Sequence, residues 1–169
     1  MDAKHLGWGL LLLTGAMVGC GDQGGTPAGT NQASPADRSK KEHAPHSHGS
    51  GPNGGVVFDL GMYHAEFTVD HPAKECTVLF LAGDNQEAKP LPVAATELTL
   101  NTKPTKVKEG SDLGKVVPPM TITLQPVNPQ DGKAAKYVGM DSGIGNVADF
   151  EGTVLGEIDG KPSQGSFKE

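Results

Sequence analysis

The chain has 169 residues, of which 24 are Gly and 13 are Pro, about a fifth of the whole and well above average usage. Such dense backbone punctuation argues against a helical bundle. With 20 acids against 14 bases the formal net charge is −6, and no basic stripe interrupts it, which argues against nucleic-acid binding. The length admits one domain, or one domain with a tail, and the distribution of Gly, Pro and apolar residues separates the two.

Lys4 and His5 precede an uncharged run from Leu6 to Val18 that contains Leu10-Leu11-Leu12-Leu13 and ends in Met17-Val18-Gly19-Cys20. A membrane-spanning helix needs about 20 apolar residues, so this run is too short to span and has the size of a secretory h-region. Its ending resembles the lipobox of bacterial lipoproteins, with Met17 where Leu is usual. The resemblance implies cleavage after Gly19, which makes residues 1–19 a signal peptide. It also implies lipidation of Cys20 and two or three acyl chains, enough for stable anchoring without a spanning helix. The alternative is an ordinary signal peptide cleaved elsewhere, with Cys20 incidental.

Residues 20–55 read as a tether. From Gly21 to Gly55 there are 8 Gly and 4 Pro and not one Val, Ile, Leu, Met, Phe, Trp or Tyr. Such a segment cannot bury enough apolar surface to offset its ordering entropy. As a flexible coil it would reach about 30–35 Å. Within it, Glu42-His43-Ala44-Pro45-His46-Ser47-His48 places three of the six histidines close together. Neutral imidazole is a good ligand for zinc, copper and nickel, so His43, His46 and His48 are candidate metal ligands. Solvated histidines in a polar linker are the other reading.

From Val56 onward the pattern is that of strands, and residues 56–169 carry the whole net charge. A domain of this size can sustain a core without disulfides. Strands are expected at Val56–Leu60, Tyr63–Val69, Cys76–Leu81, Thr96–Asn101, Met120–Gln125, Ala135–Val138 and Phe150–Ile158, with short edge pieces at Leu91–Val93 and Thr105–Lys108. Asp159-Gly160 suits a type I′ turn that returns Lys161–Lys168 as the last strand. Val117-Pro118-Pro119 is read as a turn, and no stretch supports a helix beyond two turns. Strands so spaced predict an all-β fold, an antiparallel β-sandwich of immunoglobulin-like architecture or a small barrel.

Within the domain, alternation places Tyr63, Ala65, Phe67 and Val69 on one face and His64, Glu66 and Thr68 on the other. His64 and Glu66, two apart on a strand, are close enough to share a metal or a hydrogen bond, or to stand in a solvent-facing polar row. The direction of His71, in the turn that follows, is left open. Cys76, paired with Val69, falls in a core row with Val78 and Phe80 and reads as a small hydrophobe. Gly143-Ile144-Gly145-Asn146-Val147-Ala148 matches a dinucleotide fingerprint in spacing but lacks the strand–turn–helix context. Ser142 has no histidine tied to it by a motif, so no catalytic residue is assigned and no enzyme is expected.

Gly51-Pro52-Asn53-Gly54-Gly55-Val56-Val57 followed by Tyr63-His64-Ala65-Glu66 resembles the entry to small β-domains of bacterial envelope lipoproteins and of some periplasmic adaptor subunits of metal-efflux systems. Those domains often carry His where this chain has Asn53, which removes one ligand from the implied set. The expectation is a lipid-anchored, non-enzymatic envelope protein facing the periplasm or exterior. It would bind or buffer a divalent transition metal, Zn²⁺ or Cu²⁺, through His43, His46 and His48, with His64 and Glu66 as a second group. The other reading is a structural or interaction module that engages an envelope protein and has no metal role.

Overall fold

The computed structural model describes residues 48–169. The signal peptide, Cys20, His43 and His46 lie outside the described residues. The described residues form eleven strands: β1 (Val56–Leu60), β2 (Tyr63–Asp70), β3 (Glu75–Ala82), β4 (Lys89–Pro90), β5 (Leu98–Thr102), β6 (Thr105–Lys106), β7 (Val116–Val117), β8 (Thr121–Pro126), β9 (Lys136–Met140), β10 (Glu151–Ile158) and β11 (Lys161–Lys168). A 3₁₀ turn, Ser142–Gly145, follows β9.

The main sheet runs β1-β2-β3-β9-β8-β5-β10-β11, with β4 added to β3 and with β6 and β7 paired separately. Every neighbouring pair is antiparallel. The two ends of the sheet nearly meet. The Gly61 N–H donates to the Gln164 carbonyl at 3.3 Å. A Cβ at Gly165 would lie 2.1 Å from the Asp59 carbonyl oxygen, so only glycine lets β11 approach β1 this closely. The result is an all-β, nearly closed antiparallel barrel, which leaves little free sheet edge.

Period-two alternation builds the core. In β8, Ile122 and Leu124 are buried while Thr121, Thr123 and Gln125 are exposed. In β10, Val154 and Ile158 point inward. Phe67 and Phe167 stack with centroids 4.0 Å apart and Phe58 adds a tilted contact at 5.5 Å, so aromatic side chains close the β1–β11 seam from within. Fully burying each such ring contributes about 1.5–3 kcal/mol. Tyr137 is fully buried, with its hydroxyl donating to the Ala95 carbonyl at 3.0 Å.

The β10–β11 turn has both central residues left-handed, Asp159 at φ 49° and Gly160 at φ 75°, as a type I′ turn requires. Asp159 also ties this turn to neighbouring elements. Its carboxylate accepts from the Tyr63 hydroxyl and from the Ala94 N–H. The Tyr63 hydroxyl and the Ala94 backbone hold that carboxyl below its ordinary range.

Two local expectations shift. Val117, read as the start of a turn, instead ends a two-residue strand, Val116–Val117, that pairs with Thr105–Lys106 as β7 with β6, and the prolines follow it. The edge piece expected at Leu91–Val93 is displaced to Lys89–Pro90, while Val93 makes an isolated bridge to Ala134. Pro90 is tolerated because a two-residue edge piece does not need its missing N–H.

Cys76 pairs with Val69, is fully buried, and directs its thiol at the Gly139 carbonyl. Burial, the largest effect, pushes this thiol up to about 12. Since the thiolate is the reactive form, Cys76 should resist iodoacetamide in the folded domain and be alkylated only in denaturant. Rapid labelling of native protein at neutral pH, followed by mass spectrometry, would contradict this placement.

Candidate metal centre

The outer face of the β1–β2 hairpin carries the one cluster of three potential metal ligands among the described residues: His48, Asp59 and His64. The register explains two of its members. Asp59 and His64 are direct cross-strand partners, and opposed residues of an antiparallel pair project to the same face. Phe58 and Ala65, one step along, project into the core instead.

His48 arrives by a different route. The segment before β1 folds back on it: the His48 N–H donates to the Val57 carbonyl at 3.3 Å, the Val57 N–H to the Gly49 carbonyl at 3.1 Å, and Ser50 bridges Val56. Residues 48–55, placed in the tether by their composition, are therefore part of the β-domain. The ring of His48 then meets side chains from β1, from β2 and from the turn after β3.

In this cluster His48 Nε2 lies 3.1 Å from Asp59 Oδ1, in hydrogen-bond geometry. His64 Nδ1 lies 3.1 Å from the same oxygen. That second approach is not aligned for a hydrogen bond, and His64 Nδ1, shielded from solvent, has no hydrogen-bond partner. The two imidazoles meet edge to face with centroids 5.2 Å apart. Two nitrogens and one carboxylate oxygen thus converge, all within 4.8 Å of one another. Ligands about 2.1 Å from a tetrahedral ion stand roughly 3.4 Å apart, close to the two 3.1 Å separations found here. Imidazole nitrogen with carboxylate oxygen suits zinc, copper(II) or nickel, whereas copper(I) favours sulfur ligands. Side-chain exposures of 25% for His48, 36% for His64 and 49% for Asp59 leave the cluster open to an arriving ion.

The expected pairing of His64 with Glu66 is corrected. Glu66 projects outward as alternation requires, but it is fully buried because residues 51–55 fold over it. Its Oε1 accepts from the Asn53 N–H at 2.8 Å and the Gly55 N–H at 2.9 Å, and its Oε2 accepts from Asn53 Nδ2 at 2.8 Å. A Cβ on Gly51 would come within 2.6 Å of the Glu66 carboxyl carbon, so glycine is needed for the loop to sit this close. The Gly-Pro-Asn-Gly-Gly and Tyr-His-Ala-Glu segments are joined by this carboxylate, which holds the loop that carries His48 back to the hairpin.

His71 goes elsewhere: its Nδ1 lies 2.8 Å from the Ile144 carbonyl and its ring packs near Phe150. Ser142 opens the 3₁₀ turn, where Asp141 accepts from the Gly143 N–H. The Gly143–Ala148 segment accordingly contains a short 3₁₀ turn in place of the strand–turn–helix of a dinucleotide site.

Asp59 was not among the sequence candidates, although a signal existed. A two-residue turn at Gly61-Met62 sets Leu60 opposite Tyr63 and therefore Asp59 opposite His64. No protein-family model, curated protein or solved structure matches the chain.

Proposed function

We propose that this chain is a lipid-anchored, non-enzymatic protein of the bacterial cell envelope whose β-domain binds or buffers a divalent transition metal, Zn²⁺ or Cu²⁺. The observation that carries the metal reading is His64 Nδ1: a shielded nitrogen without a hydrogen-bond partner, standing like His48 Nε2 3.1 Å from one carboxylate oxygen. A shielded polar atom left unpaired is costly, and a bound cation would satisfy it. His48, Asp59 and His64 are the ligands on the domain, and His43 and His46 supply further imidazoles from the tether. Titration of the full-length chain in detergent with Zn²⁺ and Cu²⁺ tests the reading. Binding no tighter than tens of micromolar would leave the structural or interaction module as the better account.

The anchor rests on the resemblance of Met17-Val18-Gly19-Cys20 to a lipobox. Two acyl chains on Cys20 suffice for stable attachment, with the domain facing the periplasm or exterior. The substitution Cys20→Ser should release the protein into the soluble fraction, read by membrane fractionation and immunoblot. Persistence in salt-washed membranes would overturn the lipidation.

A further inference from the structure

The His48 ring has a second nitrogen that an ion at the cluster would not use. While Nε2 meets Asp59, Nδ1 lies 3.7 Å from Oδ2 of Asp84, in the Gly83-Asp84-Asn85 turn after β3. Two carboxylates therefore flank one imidazole, one at each nitrogen. We propose that Asp84 is a positioning residue for the metal site, taking the Nδ1–H of His48, directly or through one water, so that Nε2 is the nitrogen presented to the ion. This rests on the metal reading above.

A ligating histidine binds its ion through the lone pair of one ring nitrogen. It must be neutral, so it carries one ring proton, and that proton must sit on the nitrogen that does not bind. A carboxylate facing that nitrogen selects the tautomer, fixes the ring plane and makes the ligating nitrogen more basic. A separation of 3.7 Å is longer than a direct hydrogen bond but fits a small rotation or a bridging water.

The surroundings of Asp84 favour this role over a structural one. Its side chain is 53% exposed, and among the described residues it has no hydrogen bond and no ion pair other than its approach to His48. The turn itself is held by its neighbour, Asn85, whose Oδ1 accepts from the Glu87 N–H at 3.0 Å. Charge points the same way: Asp59 and Asp84 together balance a divalent ion held by two neutral imidazoles.

The experiment compares the full-length chain with its D84A and D84E variants, using Zn²⁺ alone as the probe. D84A should bind Zn²⁺ about 10–100-fold more weakly, the range found for outer partners of metal-bound histidine, and D84E should recover part of the loss. The thermal midpoint without metal should not move, because Asp84 supports no element of the fold. Nitrogen-15 spectra of the zinc-loaded chain should place the metal on Nε2 of His48 with Nδ1 protonated, and D84A should lose that single pattern. Undiminished affinity in D84A, or His48 bound through Nδ1 in the parent chain, overturns the assignment of Asp84. If the parent binds zinc and H64A does not, while D84A is unaffected, Asp84 alone is wrong. If the parent binds no zinc, the metal reading falls and this assignment with it.

Discussion

Replacing His64 by alanine is expected to abolish tight Zn²⁺ or Cu²⁺ binding by the full-length chain. His64 contributes one of three converging ligand atoms, and its nitrogen is the one the fold leaves without another partner. Loss of a direct ligand should exceed the roughly 10–100-fold typical of outer partners, and D59A should behave like H64A. Thermal melting gives a second readout. An ion present at 100 times its dissociation constant stabilises the folded state by about 2.7 kcal/mol. For a domain of this size that is a rise of about 10 °C in Tm, which H64A should lack. Comparison with a His43/His46→Ala double variant separates domain from tether. If the double variant loses binding while H64A and D59A retain it, the tether holds the ion and the site on the hairpin is wrong.

The parts of this fold legible in the sequence are those set by local chemistry. Asp159-Gly160 marked its hairpin because its two positions demand left-handed backbone, and Met120–Gln125 marked β8 because one face of it is wet. Cys76 could be placed in the core because the pairing of two strands across a short turn fixes which residues share a face. Glu66 shows where such reasoning stops. Alternation gave its direction correctly, but its burial depends on residues 51–55, a segment without apolar side chains that covers the strand through backbone N–H groups. Composition carries no trace of that contact. Asp84 reaches His48 only because β3 lies beside β2, a long-range proximity that no spacing along the chain encodes.

Glu66→Ala should be the most destabilising single substitution near the site. Glu66 has no ion-pair partner among the described residues; its fully buried carboxylate is held by three N–H groups. Hydrogen bonds to a charged acceptor contribute about 1.5–3 kcal/mol each, and the exposed Asn53 amide can turn to water when its acceptor is lost. The two backbone donors, at Asn53 and Gly55, remain facing a void, so the loss should be about 3–5 kcal/mol. Against a typical total of 5–15 kcal/mol that is a large share, readable in urea as a fall in midpoint at unchanged m-value. Glu66→Gln keeps the volume and one acceptor oxygen for both backbone donors, and the Asn53 amide can flip to meet the new NH₂ group. Its loss should be about 1–2 kcal/mol. Hydrogen exchange adds the link to function. With the carboxylate removed, residues 48–55 lose their clamp, and the Val57 N–H, bonded to the Gly49 carbonyl, should exchange faster than the N–H groups of β10. His48 moves with that segment, so zinc affinity should fall in Glu66→Ala even where most of the domain remains folded. An alanine variant within 1 kcal/mol of the parent, or unchanged protection at Val57, would mean that the loop keeps its place without Glu66.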